Sequence, residues 1–234
     1  LLRDWYVGDG SSVTLQGEFW RWRESYPGQP YWVHFQMTDV WFPGGQEFVG
    51  PFAGLYVSAK RRKEYNNWRD TLRRYNPGHW WRPTPEAFEE AGIDRIAYSE
   101  AGQRLYAEAV AHQDHQIGRF VDQLKAAGEW ENTIFIVTAD HAQHESGLVM
   151  LEPPVLDGHH THLRPEQTGI PLLVVWPGHI PGGVRFRDPV SLIDVLPTVL
   201  DLAGLPSAQV AQGRSLAPLL LGEVSEEEWP SRPV

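Results

Sequence analysis

The stretch that decides the fold reads Thr133-Ile-Phe-Ile-Val-Thr-Ala-Asp-His141. Its apolar run, Ile134–Val137, is short and rich in β-branched residues, which predicts a buried strand. The stretch ends in two adjacent side chains of the kind that bind metals, Asp140 and His141. Because ligands gather beyond the carboxyl ends of strands in open α/β sheets, this placement favours a functional site. A second apolar run, Ile170–Trp176, predicts a further strand.

The composition indicates a folded chain of one large or two small domains. Among 234 residues, 12% are aromatic, which is too many for a disordered chain. The net charge of −10 argues against a nucleic-acid-binding protein. There is no cysteine, so disulfides, thiolate metal sites and thiol catalysis are excluded within this chain. No apolar run approaches the roughly 18 residues that a membrane-spanning helix needs.

The clearest helical pattern covers residues 94–127, and Gly128 suits its C-terminal cap. Its stripe recurs at spacings of three and four: Tyr106, Val110, Asp114, Ile117, Val121 and Leu124. Asp114 lies on this largely apolar stripe, so we expect it to be buried or at the boundary and to have a partner. His112 shares the other face with Glu108, and we expect that face to be exposed to solvent.

Shorter patterns predict the remaining organisation. We expect a single domain over 1–234, because there is no internal repeat and no low-complexity linker. Its predicted parts are irregular structure over 1–30, a buried strand over Tyr31–Met37, a basic helix over 55–76, a helix over Val190–Ala203 that is kinked or restarted at Pro197, and a mobile acidic tail over 223–234.

The pair of Asp140 and His141 suits a divalent metal. Carboxylate oxygens favour Ca²⁺, Mg²⁺ or Mn²⁺, and imidazole also admits Zn²⁺. The alternative is that the aspartate caps the next element and the histidine fills a polar boundary. In the loop that follows, His159 and His160 can stabilise the charge of an anionic ester or protonate its leaving oxygen, whereas we interpret His162 as a surface residue.

Five segments, in order, resemble the sulfatase family of the alkaline phosphatase superfamily. The first match is the strand that ends in Asp140-His141, which resembles the family's apolar strand ending in Thr-Ser-Asp-His-Gly. The other four resemble the family's central strand, its long helix, its Pro-Leu strand before Trp-Pro-Gly and its Val-Ser helix: Pro30–Asp39, Tyr106–Leu124, Gln167–Gly178 and Val190–Gly204. The family-like region covers residues 30–222.

The resemblance implies an α/β fold, an alkaline-phosphatase-like three-layer sandwich with a mostly parallel central sheet. It implies hydrolysis or transfer of sulfate or phosphate esters of glycans, lipids or small molecules at a divalent metal, with Ca²⁺ favoured over Mn²⁺, Mg²⁺ or Zn²⁺. Asp140 and His141 match metal ligands, and His159 and His160 stand where the family has a substrate-contacting lysine or histidine. The loop is most similar to an envelope-associated branch, which implies an extracytoplasmic location and membrane association through an upstream segment.

Three departures limit what the resemblance implies. The chain has no Cys/Ser-x-Pro-x-Arg motif, the precursor of the formylglycine nucleophile, and no upstream Asp-Asp metal pair. Trp41 stands where the family has a substrate-contacting histidine. Because the nucleophile motif and the Asp-Asp pair are missing and the chain begins at Leu1, we expect a sulfatase-type domain that is incomplete at its N-terminus. Without the nucleophile, we expect it to be inactive alone. The alternative, favoured by Trp41 and the basic residues 60–74, is a catalytically inactive module that binds an anionic lipid or glycan.

Overall fold

The computed structural model describes residues 10–40, 50–75, 83–142, 168–206 and 211–230. None of the helices in these ranges is long and apolar enough to cross a membrane. In chain order, the helices and strands are α1 (Ser12–Ser25), α2 (Ala59–Tyr75), α3 (Pro85–Ala91), α4 (Arg95–Ala126), β1 (Phe135–Thr138), β2 (Leu172–Val175), α5 (Val195–Leu202) and α6 (Ala217–Leu220).

The chain forms two compact units. Unit 1 comprises Leu1–Gln123 and Asp140–Ile170, and unit 2 comprises Leu124–Ala139 and Pro171–Val234. In unit 1, one core cluster joins α2 to α4 through Tyr65 and Leu105, and the Tyr65 ring stacks on Tyr98 at a centroid distance of 4.7 Å. The expectation of a single domain over 1–234 stays a prediction.

The helix predicted over 94–127 is confirmed as α4, but its buried face differs from the prediction. Asp114 is exposed, whereas Glu108 and His112 are buried, so the expectations for all three side chains are wrong. The predicted stripe began at Tyr106, one residue after the buried Leu105. With about 3.6 residues per turn, that offset turns the stripe by roughly 100° around the helix. The buried face is Ala101, Leu105, Glu108, Ala109, His112, Gln116, Phe120 and Leu124.

The lead-in predicted to be irregular contains helix α1. Ser11 caps the helix by accepting a hydrogen bond from the Thr14 backbone N–H, and Asp39 accepts another from the Ser12 N–H at 2.9 Å. Phe19 lies edge-to-face on Phe120 of α4, with the ring centroids 5.2 Å apart. The sequence did not predict this helix, because its buried positions include Ser12 and Gln16, which are polar residues of a type that usually faces solvent.

The buried strand predicted over Tyr31–Met37 is wrong. The segment is not part of a β-sheet in the described chain, and Trp32 is 75% exposed. Phe35 contacts Phe120 at a centroid distance of 5.2 Å, and His34 is exposed to solvent. Within the described residues, contacts of individual aromatic side chains, and not hydrogen bonds to a neighbouring strand, therefore hold this segment.

Both strands around the Asp140 region are confirmed. In unit 2, β1 and β2 pair antiparallel, with Phe135 opposite Val175 and Thr138 opposite Leu172. Both strands are only partly buried. In β2, outward-facing side chains such as that of Leu173 are exposed to solvent. The described residues contain this one antiparallel pair, so the predicted mostly parallel sheet and three-layer sandwich stay predictions for the whole domain.

A buried polar network fixes the second half of unit 2. Asp194 accepts hydrogen bonds from the backbone N–H groups of Ser191 and Arg214, each at 2.9 Å. Thr198 donates to the Asp194 carbonyl at 2.6 Å and accepts from the Leu216 N–H at 2.9 Å. The helix predicted over Val190–Ala203 forms as a 3₁₀ turn, Leu192–Asp194, followed by α5, so the chain restarts its helix just before Pro197.

The acidic segment that follows Leu221 is packed over its described part, where the sequence predicts a mobile tail. Trp229 is buried with Leu216 and Leu219. Glu226 accepts a hydrogen bond from the Asp188 backbone N–H at 3.0 Å, which holds the segment against the preceding loop.

The Gly213 backbone passes so close to the 3₁₀ turn that a side chain does not fit. A β-carbon there would lie 1.9 Å from the Ile193 carbonyl oxygen. We predict that Gly213→Ala lowers the free energy of unfolding by about 3 kcal/mol or more, because the backbone must move. Gly182→Ala is the control, since no heavy atom lies within 4 Å of its β-carbon position. Urea unfolding followed by circular dichroism checks this, and equal stability of the two variants would contradict it.

Candidate functional site

The side chains of Asp140 and His141 lie together just after β1. The His141 Nε2 atom is 3.8 Å from Asp140 Oδ1, and the His141 backbone N–H donates to the same oxygen at 3.0 Å. The Asp140 side chain is 63% exposed and that of His141 32% exposed. The pair is therefore accessible to a ligand from solvent.

Neighbouring groups orient both side chains. The His141 Nδ1 atom is 3.1 Å from the Ala142 carbonyl oxygen, a geometry in which Nδ1–H donates. That tautomer leaves the lone pair on Nε2, the arrangement that metal-binding histidines use. The Gln36 amide lies 3.4 Å from Asp140 Oδ2, so a second element of unit 1 contacts the carboxylate.

This donor set fits a divalent cation in part. Two donors bound to one ion at about 2.2 Å each can be up to about 4.4 Å apart, so the 3.8 Å between Asp140 Oδ1 and His141 Nε2 is compatible with one ion. In the part of the chain that the structure describes, no third His, Cys, Asp or Glu joins them in a cluster. The described residues therefore offer two ligands.

The other predicted site residues lie outside the described residues. This holds for His159 and His160, the candidate substrate contacts, and for Trp41, which stands at the family's histidine position. Their predicted roles stay predictions.

A buried ion pair between α2 and α4 was not predicted from the sequence. Arg62 donates to Glu108 Oε2, and the two side chains are 4% and 0% exposed. The other carboxylate oxygen, Oε1, accepts hydrogen bonds from three backbone N–H groups at 3.1, 2.8 and 2.8 Å, those of Gly54, Tyr56 and Val57. The spacing along α4 could have identified Glu108 as buried. It follows Leu105 by three residues and precedes His112 by four, so the three side chains share one helix face, and that face is buried.

A second buried polar cluster holds α1 to α4. The Asp39 carboxylate accepts hydrogen bonds from the Ser12 N–H at 2.9 Å and from the Ser12 hydroxyl at 3.0 Å. The His112 Nε2 atom lies 3.7 Å from Asp39 Oδ1, and its buried Nδ1 has no hydrogen-bond partner among the residues that the structure describes. Because the serine hydroxyl donates directly to the carboxylate and not to the histidine, this trio lacks the order of a catalytic triad.

Sequence comparison identifies the family. Residues 48–205 match the family described as Sulfatase, which is more than half of the chain and includes both Glu108 and the Asp140–His141 pair. The chain belongs to the sulfatase family. The predicted membership in this family, and in the alkaline phosphatase superfamily, is therefore confirmed.

Curated relatives are sulfatases, and the chain matches only a part of each. Steryl-sulfatase of Rattus norvegicus is 36% identical over 139 residues, which cover 55% of this chain and 24% of that protein. Arylsulfatase D of Homo sapiens is 33% identical over 140 residues, which cover 50% of this chain and 21% of that protein. The chain thus spans about a quarter of the length of these relatives.

Solved structures support the fold class. The phosphonate monoester hydrolase SpPMH of Silicibacter pomeroyi has a TM-score of 0.62 and 23% identity, over 95% of this chain and 43% of that one. The phosphonate monoester hydrolase of Agrobacterium radiobacter has a TM-score of 0.57 and 23% identity, over 94% of this chain and 42% of that one. At this identity the likeness shows an alkaline-phosphatase-like fold and does not extend to substrate.

The environment of His112 makes stability depend on pH. Burial lowers the pKa of His112 from its ordinary value, the Asp39 charge raises it in part, and His115 lowers it further. An unfolded histidine takes up a proton near pH 6.5, whereas buried His112 does so only at lower pH. Between these two pKa values the unfolded state binds more protons than the folded state, so acid favours unfolding. We predict that the free energy of unfolding falls as pH drops below about 6.5, by at most about 1.4 kcal/mol per pH unit from this group.

Denaturant unfolding of the wild type and of His112→Gln between pH 7.5 and 5.5 checks this prediction. We expect a weaker pH dependence in the variant, and an unchanged dependence in His34→Gln, whose imidazole is exposed and is not among the groups that shift the His112 pKa. Parallel curves for the wild type and His112→Gln would contradict the assignment.

Proposed function

We propose that this chain is part of a metal-dependent sulfatase-type hydrolase or transferase that acts on sulfate or phosphate esters. The observation that carries the proposal is the Asp140–His141 pair, whose donor atoms lie 3.8 Å apart at the end of β1 in a chain of the sulfatase family. The names of the relatives, steryl-sulfatase and arylsulfatase, favour sulfate esters as the first class to test.

In this proposal, Asp140 and His141 hold a divalent cation. Ca²⁺ suits the carboxylate, and the imidazole also admits Mn²⁺, Mg²⁺ or Zn²⁺. When bound, the ion supplies positive charge that neutralises the non-bridging oxygens of the ester. The Ala142 carbonyl keeps the proton on His141 Nδ1, and the Gln36 amide restrains the Asp140 carboxylate. His159 and His160 are the proposed contacts to the substrate.

The nucleophile belongs to a segment outside these 234 residues. No Cys/Ser-x-Pro-x-Arg motif occurs in them, and formylglycine enters the proposal only if that motif precedes this segment. We propose the same source for an upstream Asp-Asp pair that completes the metal site. An extracytoplasmic location and membrane association through such a segment belong to this proposal too.

A basic surface favours a second candidate function, a catalytically inactive module that binds an anionic lipid or glycan. On α2, Arg62 is buried in its ion pair, whereas five basic side chains remain exposed: Lys60, Arg61, Lys63, Arg73 and Arg74. The upstream sequence separates the two candidates. A nucleophile motif beside an Asp-Asp pair supports the enzyme, and the loss of both supports the binding module.

We predict that Asp140→Ala weakens Mn²⁺ binding at least tenfold, as expected for losing one of two protein ligands (an estimate of about 1.4 kcal/mol or more). Paramagnetic broadening of the His141 ring signals during a Mn²⁺ titration measures the affinity at that residue. Asp114→Ala is the matched control, because it removes an exposed carboxylate elsewhere in unit 1. Equal broadening in the wild type and Asp140→Ala would remove Asp140 from the ligand set.

We also predict that the isolated chain does not turn over 4-nitrophenyl sulfate or a phosphodiester, because it lacks the nucleophile. A longer polypeptide that carries the motif should hydrolyse the sulfate ester in a metal-dependent manner, and Asp140→Ala should lower its kcat by about 100-fold or more. Turnover by the isolated chain would contradict the missing nucleophile, and full activity of the longer variant would contradict the role of Asp140.

A further inference from the structure

A groove of about 280 Å³ lies between the loop before α2 and the first turns of α4. Pockets for drug-sized ligands are usually about 300–1,000 Å³, so this groove is sized for one small ligand, such as a single sugar unit. Its walls combine an aromatic ring, cationic and anionic side chains and a few small residues: Tyr56, Val57, Ser58, Arg61, Ala97, Glu100, Ala101 and Arg104.

The loop wall of the groove is held from inside the protein. Glu108 Oε1 accepts backbone hydrogen bonds from Tyr56 and Val57 at 2.8 Å each, and Val57 is buried beneath the loop. Tyr56 itself is 52% exposed. A buried carboxylate thus fixes the backbone of a residue whose aromatic ring stays accessible, so the ring is presented to a ligand without a large ordering cost.

Two arginines from different helices line the groove. Arg61 comes from the first turn of α2, lies 3.3 Å from Glu64 and stacks over the Trp68 ring at 5.4 Å. Arg104 comes from α4 and forms no ion pair within the described part of the chain, although Glu100 stands one turn before it. Guanidinium groups recognise the oxygens of sulfate and phosphate through paired N–H donors.

We propose that this groove binds a sulfated or phosphorylated sugar unit. Arg61 and Arg104 supply donors for the anionic group, and the exposed Tyr56 ring supplies a flat apolar face for the sugar ring. The Glu100 carboxylate accepts hydrogen bonds from sugar hydroxyls and disfavours a dense polyanion. The proposal deepens the second candidate function, the binding of an anionic glycan, on which it rests through Arg61. It is independent of the proposed ester chemistry, because the groove contains neither Asp140 nor His141.

Titrations with galactose 6-sulfate, galactose and inorganic sulfate, followed by NMR shifts of the groove amides, test the ligand class. We expect galactose 6-sulfate to bind at least tenfold more tightly than either single component. Equal affinity for inorganic sulfate would overturn the sugar contact, and equal affinity for galactose would overturn the role of the arginines. Each titration is run with and without EDTA, and unchanged binding in EDTA separates this groove from the proposed metal site. Loss of binding in EDTA would overturn its independence.

Matched variants test the assigned residues. We expect Arg104→Gln to weaken binding about tenfold, because a hydrogen bond to a charged group is lost, and Arg119→Gln, an exposed arginine on the same helix, to leave binding unchanged. Tyr56→Ala should also weaken binding, whereas Tyr75→Ala, a half-exposed tyrosine at the end of α2, should not. Circular dichroism and thermal unfolding confirm that each variant is folded. Equal effects of the groove variants and their controls would overturn the site.

Discussion

The buried Glu108 carboxylate is the interaction on which the organisation of unit 1 depends. It has no exposed surface, and its two oxygens together accept hydrogen bonds from Arg62 and from three backbone N–H groups of the loop before α2. Removing one partner of such a pair leaves an uncompensated buried charge, which costs about 3–5 kcal/mol. One carboxylate thereby joins α2, α4 and the loop between Gly50 and Ser58, and it also shapes the proposed sugar groove.

The sequence predicted elements with strong local signals and failed where tertiary packing decided. The existence of α4 and of the two strands around Asp140 was predictable, because helical spacing and short β-branched runs are local signals. Helix α1 was missed, because its buried face contains Ser12 and Gln16. The segment Tyr31–Met37 has the composition of a strand, yet Phe35 docks singly on Phe120. Two faces of α4, offset by one residue, could each have been the buried one. Which of them is buried depends on Arg62 and Asp39, the partners of Glu108 and His112, which are distant in sequence.

Only the part of the candidate site that is formed by neighbouring residues could be predicted from the sequence. Asp140 and His141 are adjacent in sequence, so the sequence could place them together, and the structure adds the tautomer that Ala142 imposes. The contact of Gln36 with Asp140 joins residues 104 positions apart and had no signal in the sequence. Family membership places this pair within a sulfatase-type architecture, while the relatives are about four times as long as the matched part.

Hydrogen exchange of the Gly54, Tyr56 and Val57 amides in the wild type and in Glu108→Gln measures how firmly Glu108 holds the loop before α2. We expect the substitution to accelerate exchange of these three amides by about 10-fold to 100-fold, because the neutral amide oxygen of glutamine is a weaker acceptor than the carboxylate. Amides of unit 2, such as that of Leu216, serve as the internal reference and should keep their protection. Unchanged exchange at all three amides would contradict the claim that Glu108 holds the loop.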